Sequence, residues 1–242
     1  MQLDLAKLFA SLVALIGPAP TDMPKELQLK KGDQIVAIGD SITQGANNAK
    51  GTGYLDDINA VLADEYPDLK LPKVINVGIS GQKAEDLIKR FQKDVVDKKP
   101  QWVTISIGIN DVWHRLKDPH DPKVLAKYTE NVAKMVDMAQ GAGIKVILIS
   151  PTVIQEDPNA EGNKRLATYV AAEKKIAEEK KCQFVNLHQM FLDALAKKPA
   201  GMKANWLTGD GVHMKPMGDA LMAIGALRAL GVPDEKLSAG AK

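Results

Sequence analysis

Four short stretches of this chain hold residue types that can do chemistry together. In "GDS", Gly39 to Ser41, a serine follows an acidic residue at the end of the apolar run Ile35 to Ile38. In "GDGVHMKP", Gly209 to Pro216, the spacing Asp210-x-x-His213 sets a carboxylate and an imidazole within one turn of each other. A carboxylate that accepts the Nδ1 proton fixes the imidazole tautomer and leaves Nε2 free to act as a base. "SIGINDVW" places Asn110 just after an apolar run and Gly108, where a side-chain amide could stabilise an oxyanion. "NVGISGQ" adds Gly78 and Gly81, either of which could present a backbone N–H to the same point.

Each stretch also has a plainer reading. Ser41 could be a helix N-cap or a turn hydroxyl, Asn110-Asp111 a turn, and Asp210-x-x-His213 a surface turn before a helix. Neither glycine-rich phosphate-loop pattern stands at the first strand end, and the G-x-S-x-G nucleophile elbow is missing there too. No Cys/His cluster or H-E-x-x-H pattern supplies metal ligands, so neither a metal nor a cofactor is expected.

The elements that must position these residues follow from the apolar pattern. Short uninterrupted apolar runs at Ile35 to Ile38, Val74 to Val77, Trp102 to Ile107, Val146 to Ile149 and Phe184 to Asn186 read as strands. They alternate with helical patterns at Tyr54 to Tyr66, Ala84 to Asp97, Lys123 to Gly141, Asn163 to Lys180, Gln189 to Ala196 and Pro216 to Leu230. Asp121 before Pro122, and Lys215 before Pro216, mark two helix starts. Uninterrupted runs suit a parallel sheet covered on both faces, and the alternation predicts a three-layer α/β domain with about five strands. In such sheets the loops at the carboxyl ends of the strands bind ligands. All but one of the chemistry-bearing stretches fall directly after a strand, and the exception precedes the last helix.

The 242 residues carry a net charge of +2 with both signs mixed throughout, which argues against nucleic acid as a partner. Cys182 is the only cysteine, so no internal disulfide supports the fold. Residues 1–24 form a separate N-terminal segment, and 25–242 read as one domain. "LFASLVALI", Leu8 to Ile16, is too short to span a bilayer. It reads either as the apolar part of an export signal, implying a secreted or periplasmic protein, or as an amphipathic helix docked on the domain, compatible with the cytoplasm.

The ordered conjunction of the four stretches resembles the SGNH (GDSL-type) hydrolase superfamily, over about Ile35 to Leu230. "GDS" matches its first block, "ISGQ" the second, "GIND" the third and "DGVH" the fifth. The resemblance implies a flavodoxin-like α/β/α sandwich and a serine esterase working through an acyl-enzyme. Carried over by position, it makes Ser41 the nucleophile, His213 the general base and Asp210 its orienting acid. The oxyanion hole becomes the Ser41 N–H, the Gly81 N–H and the Asn110 amide. Gln82 departs mildly from the Asp, Asn or Glu that the family places after that glycine. Asp40 is expected to brace the turn that aims Ser41, and it joins Trp113 and His114 as a candidate substrate contact. The loops "TQGANNAKGTGY" and "DVWHRLKDPHD" are polar and form no long apolar lid, which favours short acyl groups, acetyl on a carbohydrate first. A lysophospholipase or thioesterase for longer chains, and a non-catalytic ligand-binding module, are the alternatives.

Overall fold

A computed structural model of the protein describes residues 5–46, 48–49 and 52–238. Part of the polar loop after Ser41, at positions 47, 50 and 51, lies outside them. Five strands, β1 (Ile35–Gly39), β2 (Ile75–Asn76), β3 (Trp102–Ser106), β4 (Lys145–Ile149) and β5 (Gln183–Val185), pair in parallel in the order β2-β1-β3-β4-β5. β1 and β3 are buried along their whole length, as expected of continuous apolar runs with helices on both faces. β2 is shorter than the run Val74 to Val77, because this edge strand pairs with β1 alone and only over Val36–Ile75 and Ala37–Asn76.

The helices are α1 (Leu5–Ile16), α2 (Ser41–Gln44), α3 (Tyr54–Glu65), α4 (Ala84–Asp94), α5 (Ile109–Trp113), α6 (Pro122–Gly141), α7 (Glu161–Lys180), α8 (Leu187–Leu195), α9 (Pro216–Ala229) and α10 (Asp234–Ser238). α4, α6 and α7 pack in sequence on one side of the sheet, while α9 packs against α3, α8 and α1 on the other. Asp121 caps α6 as its position before Pro122 implies, with Oδ1 accepting the Lys123 N–H at 2.8 Å. α9 is buried from Gly218 to Ala229, because α1 covers the flank that would otherwise face water.

In the N-terminal segment, Leu5–Ile16 forms helix α1, packed against α9 and α10. Phe9 and Leu12 are 1% exposed, while Lys7, Ser11 and Ala14 face solvent. The Arg228 guanidinium donates to the Gly17 carbonyl at 2.7 Å and ties the end of α1 to α9. No described helix is long and apolar enough to cross a membrane.

The strand order reverses beside β1. The chain leaves β1 for β2 on one side and returns to β3 on the other, with Gly39 in register with Ser106. In open parallel sheets the crevice forms at such a reversal, outside the carboxyl ends of the two strands. Ser41 follows one of those ends and Asn110 the other.

Candidate active site

The turn that carries Ser41 is built on close backbone contact. A Cβ on Gly39 would lie 2.6 Å from the Ser106 carbonyl of the neighbouring strand, so only glycine ends β1. Asp40 then caps α2, its Oδ1 accepting the Ile42 N–H at 3.0 Å, and Ser41 becomes the first helical residue. Burial pushes the Asp40 carboxyl up to about 7, and the Asp111 charge adds to it, against the Ile42 hydrogen bond and His213. Asp40 is 3% exposed and already engaged with the turn. Its carboxyl thus braces the turn that carries Ser41.

Asp210 and His213 stand on a small hairpin, residues 207–215. Thr208 and Met214 form its bridge, and the Gly209 N–H donates to the His213 carbonyl at 2.8 Å. Asp210 Oδ1 accepts the backbone N–H of Val212 at 3.0 Å and of His213 at 2.8 Å. Its Oδ2 faces His213 Nδ1 at 2.7 Å, and His213 Nε2 reaches Ser41 Oγ at 2.9 Å. Partial burial would raise the Asp210 carboxyl, but the His213 side chain and these backbone donors outweigh it and hold it below its ordinary value. The same Asp-x-x-His spacing recurs at Asp111 and His114 without forming such a pair. There the carboxyl is buried under α4, accepting the Ala84 N–H at 3.3 Å, and His114 is exposed.

Two residues that carried no sequence signal hold the hairpin in place. Glu156 buries its side chain to 2% exposure. Its carboxylate accepts the N–H groups of Trp206, Leu207 and Thr208 at 2.6, 2.6 and 2.7 Å. Burial works against the charge, yet these donors keep the Glu156 carboxyl below its usual range. The adjacent Gln155 N–H donates to the Gly211 carbonyl at 2.7 Å. Gln155 takes φ +62°, a left-handed conformation uncommon for a residue with a side chain. An acid in a loop after β4 has no pattern that separates it from a solvated one; only the fold reveals its partners.

The oxyanion-hole candidates face the crevice from two loops. Asn110 sits in the first turn of α5, 1% exposed, with one Nδ2 hydrogen donated to the Gln82 carbonyl at 3.0 Å. An amide NH2 has two hydrogens, so one remains for a ligand. Gly108 before it has φ +120°, and a Cβ there would meet the Tyr128 hydroxyl at 2.8 Å. The two glycines of "NVGISGQ" separate cleanly. The Gly78 N–H is engaged by Asn76 Oδ1 at 2.9 Å. Gly81, at φ +77° in the turn closed by Gln82 N–H to Ile79 O at 3.4 Å, is exposed and donates to no described acceptor. A positive φ at the third position of a turn favours glycine.

Trp113 is half-buried, with its ring set edge-on to His213 at 6.0 Å, and the His114 ring follows at 5.5 Å from Trp113. Partial desolvation, with the Lys83 and Arg115 charges nearby, lowers the His114 pKa. On the other flank of His213 and Asp210 lies a cavity of about 790 Å³. Leu5 and Leu8 of α1, Met214 and Ala60 line it, as do Asp57 and Asp219. Among the described residues, no three His, Cys, Asp or Glu side chains are gathered as metal ligands.

Known proteins resemble this chain in sequence and fold. The model of the GDSL-like lipase/acylhydrolase family matches residues 37–221. An acetylxylan esterase of Geobacillus stearothermophilus is 32% identical over 220 residues, covering 85% of this chain and 97% of that protein. A crystal structure of an acetylxylan esterase from that organism superposes with a TM-score of 0.73 at 30% identity, covering 85% of this chain and 98% of the other. Catalytic mutants of that esterase also match; they replace a serine, and an aspartate and a histidine three positions apart, with alanine. Esterase TesA of Pseudomonas aeruginosa is 28% identical over 184 residues, covering 74% of this chain and 78% of its own.

Proposed function

Since this chain belongs to the GDSL-like lipase/acylhydrolase family and is a carboxylic ester hydrolase, we propose that Ser41, His213 and Asp210 carry its chemistry and that it removes acetyl groups from a carbohydrate. The observation that carries the reading is the continuous line from Asp210 Oδ2 through His213 to Ser41 Oγ, with contacts of 2.7 and 2.9 Å.

In this mechanism His213 Nε2 takes the Ser41 proton as Oγ attacks the ester carbonyl, and Asp210 stabilises the imidazolium that forms. The carbonyl oxygen becomes an oxyanion, received by the Ser41 N–H, the Gly81 N–H and the free Asn110 Nδ2 hydrogen. Collapse of the intermediate expels the alcohol, which takes its proton from His213, and leaves the acyl group on Ser41. Water, deprotonated by the same imidazole, then cleaves the acyl-enzyme and releases the carboxylic acid.

Acetylated carbohydrate is favoured by the acetylxylan esterase relative, which this chain matches over nearly its whole length. Trp113 beside His213 offers an aromatic face of the kind that stacks on a sugar ring. A longer acyl chain is the second reading, supported by Leu5, Leu8 and Met214 on the wall of the adjoining cavity. Hydrolysis of p-nitrophenyl esters of increasing acyl length, followed by acetate release from acetylated xylo-oligosaccharides, tests the two. The acetate ester is expected to be the best substrate. Each buried CH₂ contributes about 0.8 kcal/mol, so a long-chain enzyme would instead peak beyond about eight carbons.

A further inference from the structure

We infer that Arg90 is a positioning residue that sets the spacing of the oxyanion hole, a role that rests on the esterase reading of the site. Arg90 lies on α4, outside all four chemistry-bearing stretches, and its side chain is 14% exposed. Its guanidinium donates to three acceptors on two separate segments. Nη2 reaches the Gly39 carbonyl at 3.2 Å, Nη1 the Val77 carbonyl at 2.7 Å, and Nε the Gln82 Oε1 at 2.7 Å. Asp94, one turn further along α4, accepts from Nη1 at 2.9 Å and holds the fork in place.

Those acceptors sit where the hole is made. Gly39 is the last residue of β1 and leads through Asp40 to the Ser41 N–H. Gln82 follows Gly81 directly, and its carbonyl carries the Asn110 amide at 3.0 Å. One planar group therefore touches the segments that present the Ser41 and Gly81 donors, and it holds Gln82, whose carbonyl carries the Asn110 amide. A guanidinium offers five N–H bonds in a fixed fork, whereas an ammonium is a point charge on a flexible stem. The arrangement also gives Gln82, the residue that departs from the family pattern, a defined use: its side chain takes Arg90 Nε while its backbone takes Asn110.

Steady-state hydrolysis of p-nitrophenyl acetate tests this, with thermal melting of each variant alongside. A displacement of about 1 Å at reacting groups costs about 10²-fold, so Arg90→Met is expected to lower kcat by about that factor with little change in KM. Arg90→Lys should recover little of the loss, since one ammonium cannot span the three acceptors. Gln82→Leu should lower kcat by about tenfold, and Gln82→Glu, which keeps an acceptor for Nε, should regain most of that loss. If Arg90→Met does not fold, the two Gln82 variants carry the test. A folded Gln82→Leu or Arg90→Met with wild-type kcat, or full rescue by Arg90→Lys, overturns the inference alone. A wild-type protein that fails to hydrolyse the ester, or whose activity survives Ser41→Ala, overturns the esterase reading and the inference together.

Discussion

His213 Nε2 lies 2.9 Å from Ser41 Oγ, although one residue follows the first strand and the other precedes α9. The contact is made by two rigid supports meeting across the crevice. On one side, Gly39 lets α2 turn off the sheet; on the other, Glu156 and Gln155 hold the hairpin that carries Asp210 and His213.

Removing the Asn110 amide tests its proposed oxyanion contribution. Asn110→Ala is expected to lower kcat by about 10²–10³-fold while KM stays close to wild type. The lost bond to the Gln82 carbonyl adds about 1 kcal/mol of destabilisation. Kinetics on p-nitrophenyl acetate read the first effect and denaturant unfolding the second; a near-normal kcat would remove Asn110 from the hole.

Glu156 offers a change made away from the reacting atoms. Glu156→Ala leaves three backbone N–H groups of residues 206–208 without their acceptor. The expected cost is about 3 kcal/mol of stability, with a fall in kcat/KM as the hairpin loosens. Thermal unfolding and kinetics on one preparation check both. A stable Glu156→Ala protein with full activity would show that the hairpin holds itself.

The two glycines of the loop after β2, Gly78 and Gly81, should respond differently to a methyl group. At Gly78 a Cβ would lie 2.8 Å from the Thr43 carbonyl carbon and 2.9 Å from the Asp40 oxygen, whereas at Gly81 nothing lies within 4 Å. Gly78→Ala is expected to cost about 3 kcal/mol or more, and Gly81→Ala about 1–2 kcal/mol for its left-handed backbone. Melting temperatures of the two variants give the order directly, and equal losses would contradict the packing described.

Asp40 predicts how stability depends on pH. Its carboxyl sits at about 7 in the fold against an ordinary 3.8, so the folded state holds a proton that the unfolded chain has lost. That contribution is complete below the unfolded value and is lost as pH rises through about 7. Asp40→Asn keeps an acceptor for the Ile42 N–H without a titrating group. Between pH 4 and 8 it is expected to lose less stability than wild type, by up to about 4 kcal/mol. Parallel unfolding curves across that range would show that Asp40 does not titrate this way.

The sheet could be read from the chain because its strands are continuous apolar runs, and β1, β3 and β4 fall within one or two residues of where those runs lie. α2 and α5 escaped notice because they are 4 and 5 residues long, too short for a 3.6-residue period to show. Yet they carry Ser41 and Asn110. The same limit hid Arg90 and Glu156. A charged residue on a helix or in a loop looks solvated until the carbonyls or amides that surround it are known. The glycines behaved otherwise: spacing alone left Gly78 and Gly81 open, the family resemblance favoured Gly81, and the structure separates them by the Asn76 bond to the Gly78 N–H and by the left-handed backbone of Gly81.

The absence of a side chain at Gly78 reaches beyond packing. Backbone lies against backbone there, and Asn76 Nδ2 donates to the Thr43 carbonyl at 2.8 Å while the Ser80 N–H donates to Gln44 Oε1 at 2.8 Å. The turn that bears Ser41 and the loop that bears Gly81 are thus tied into one body. The hairpin meets that body through the His213 ring. Ser41 and Gly81 are therefore held at a common spacing by ties that involve neither the hairpin nor the imidazole.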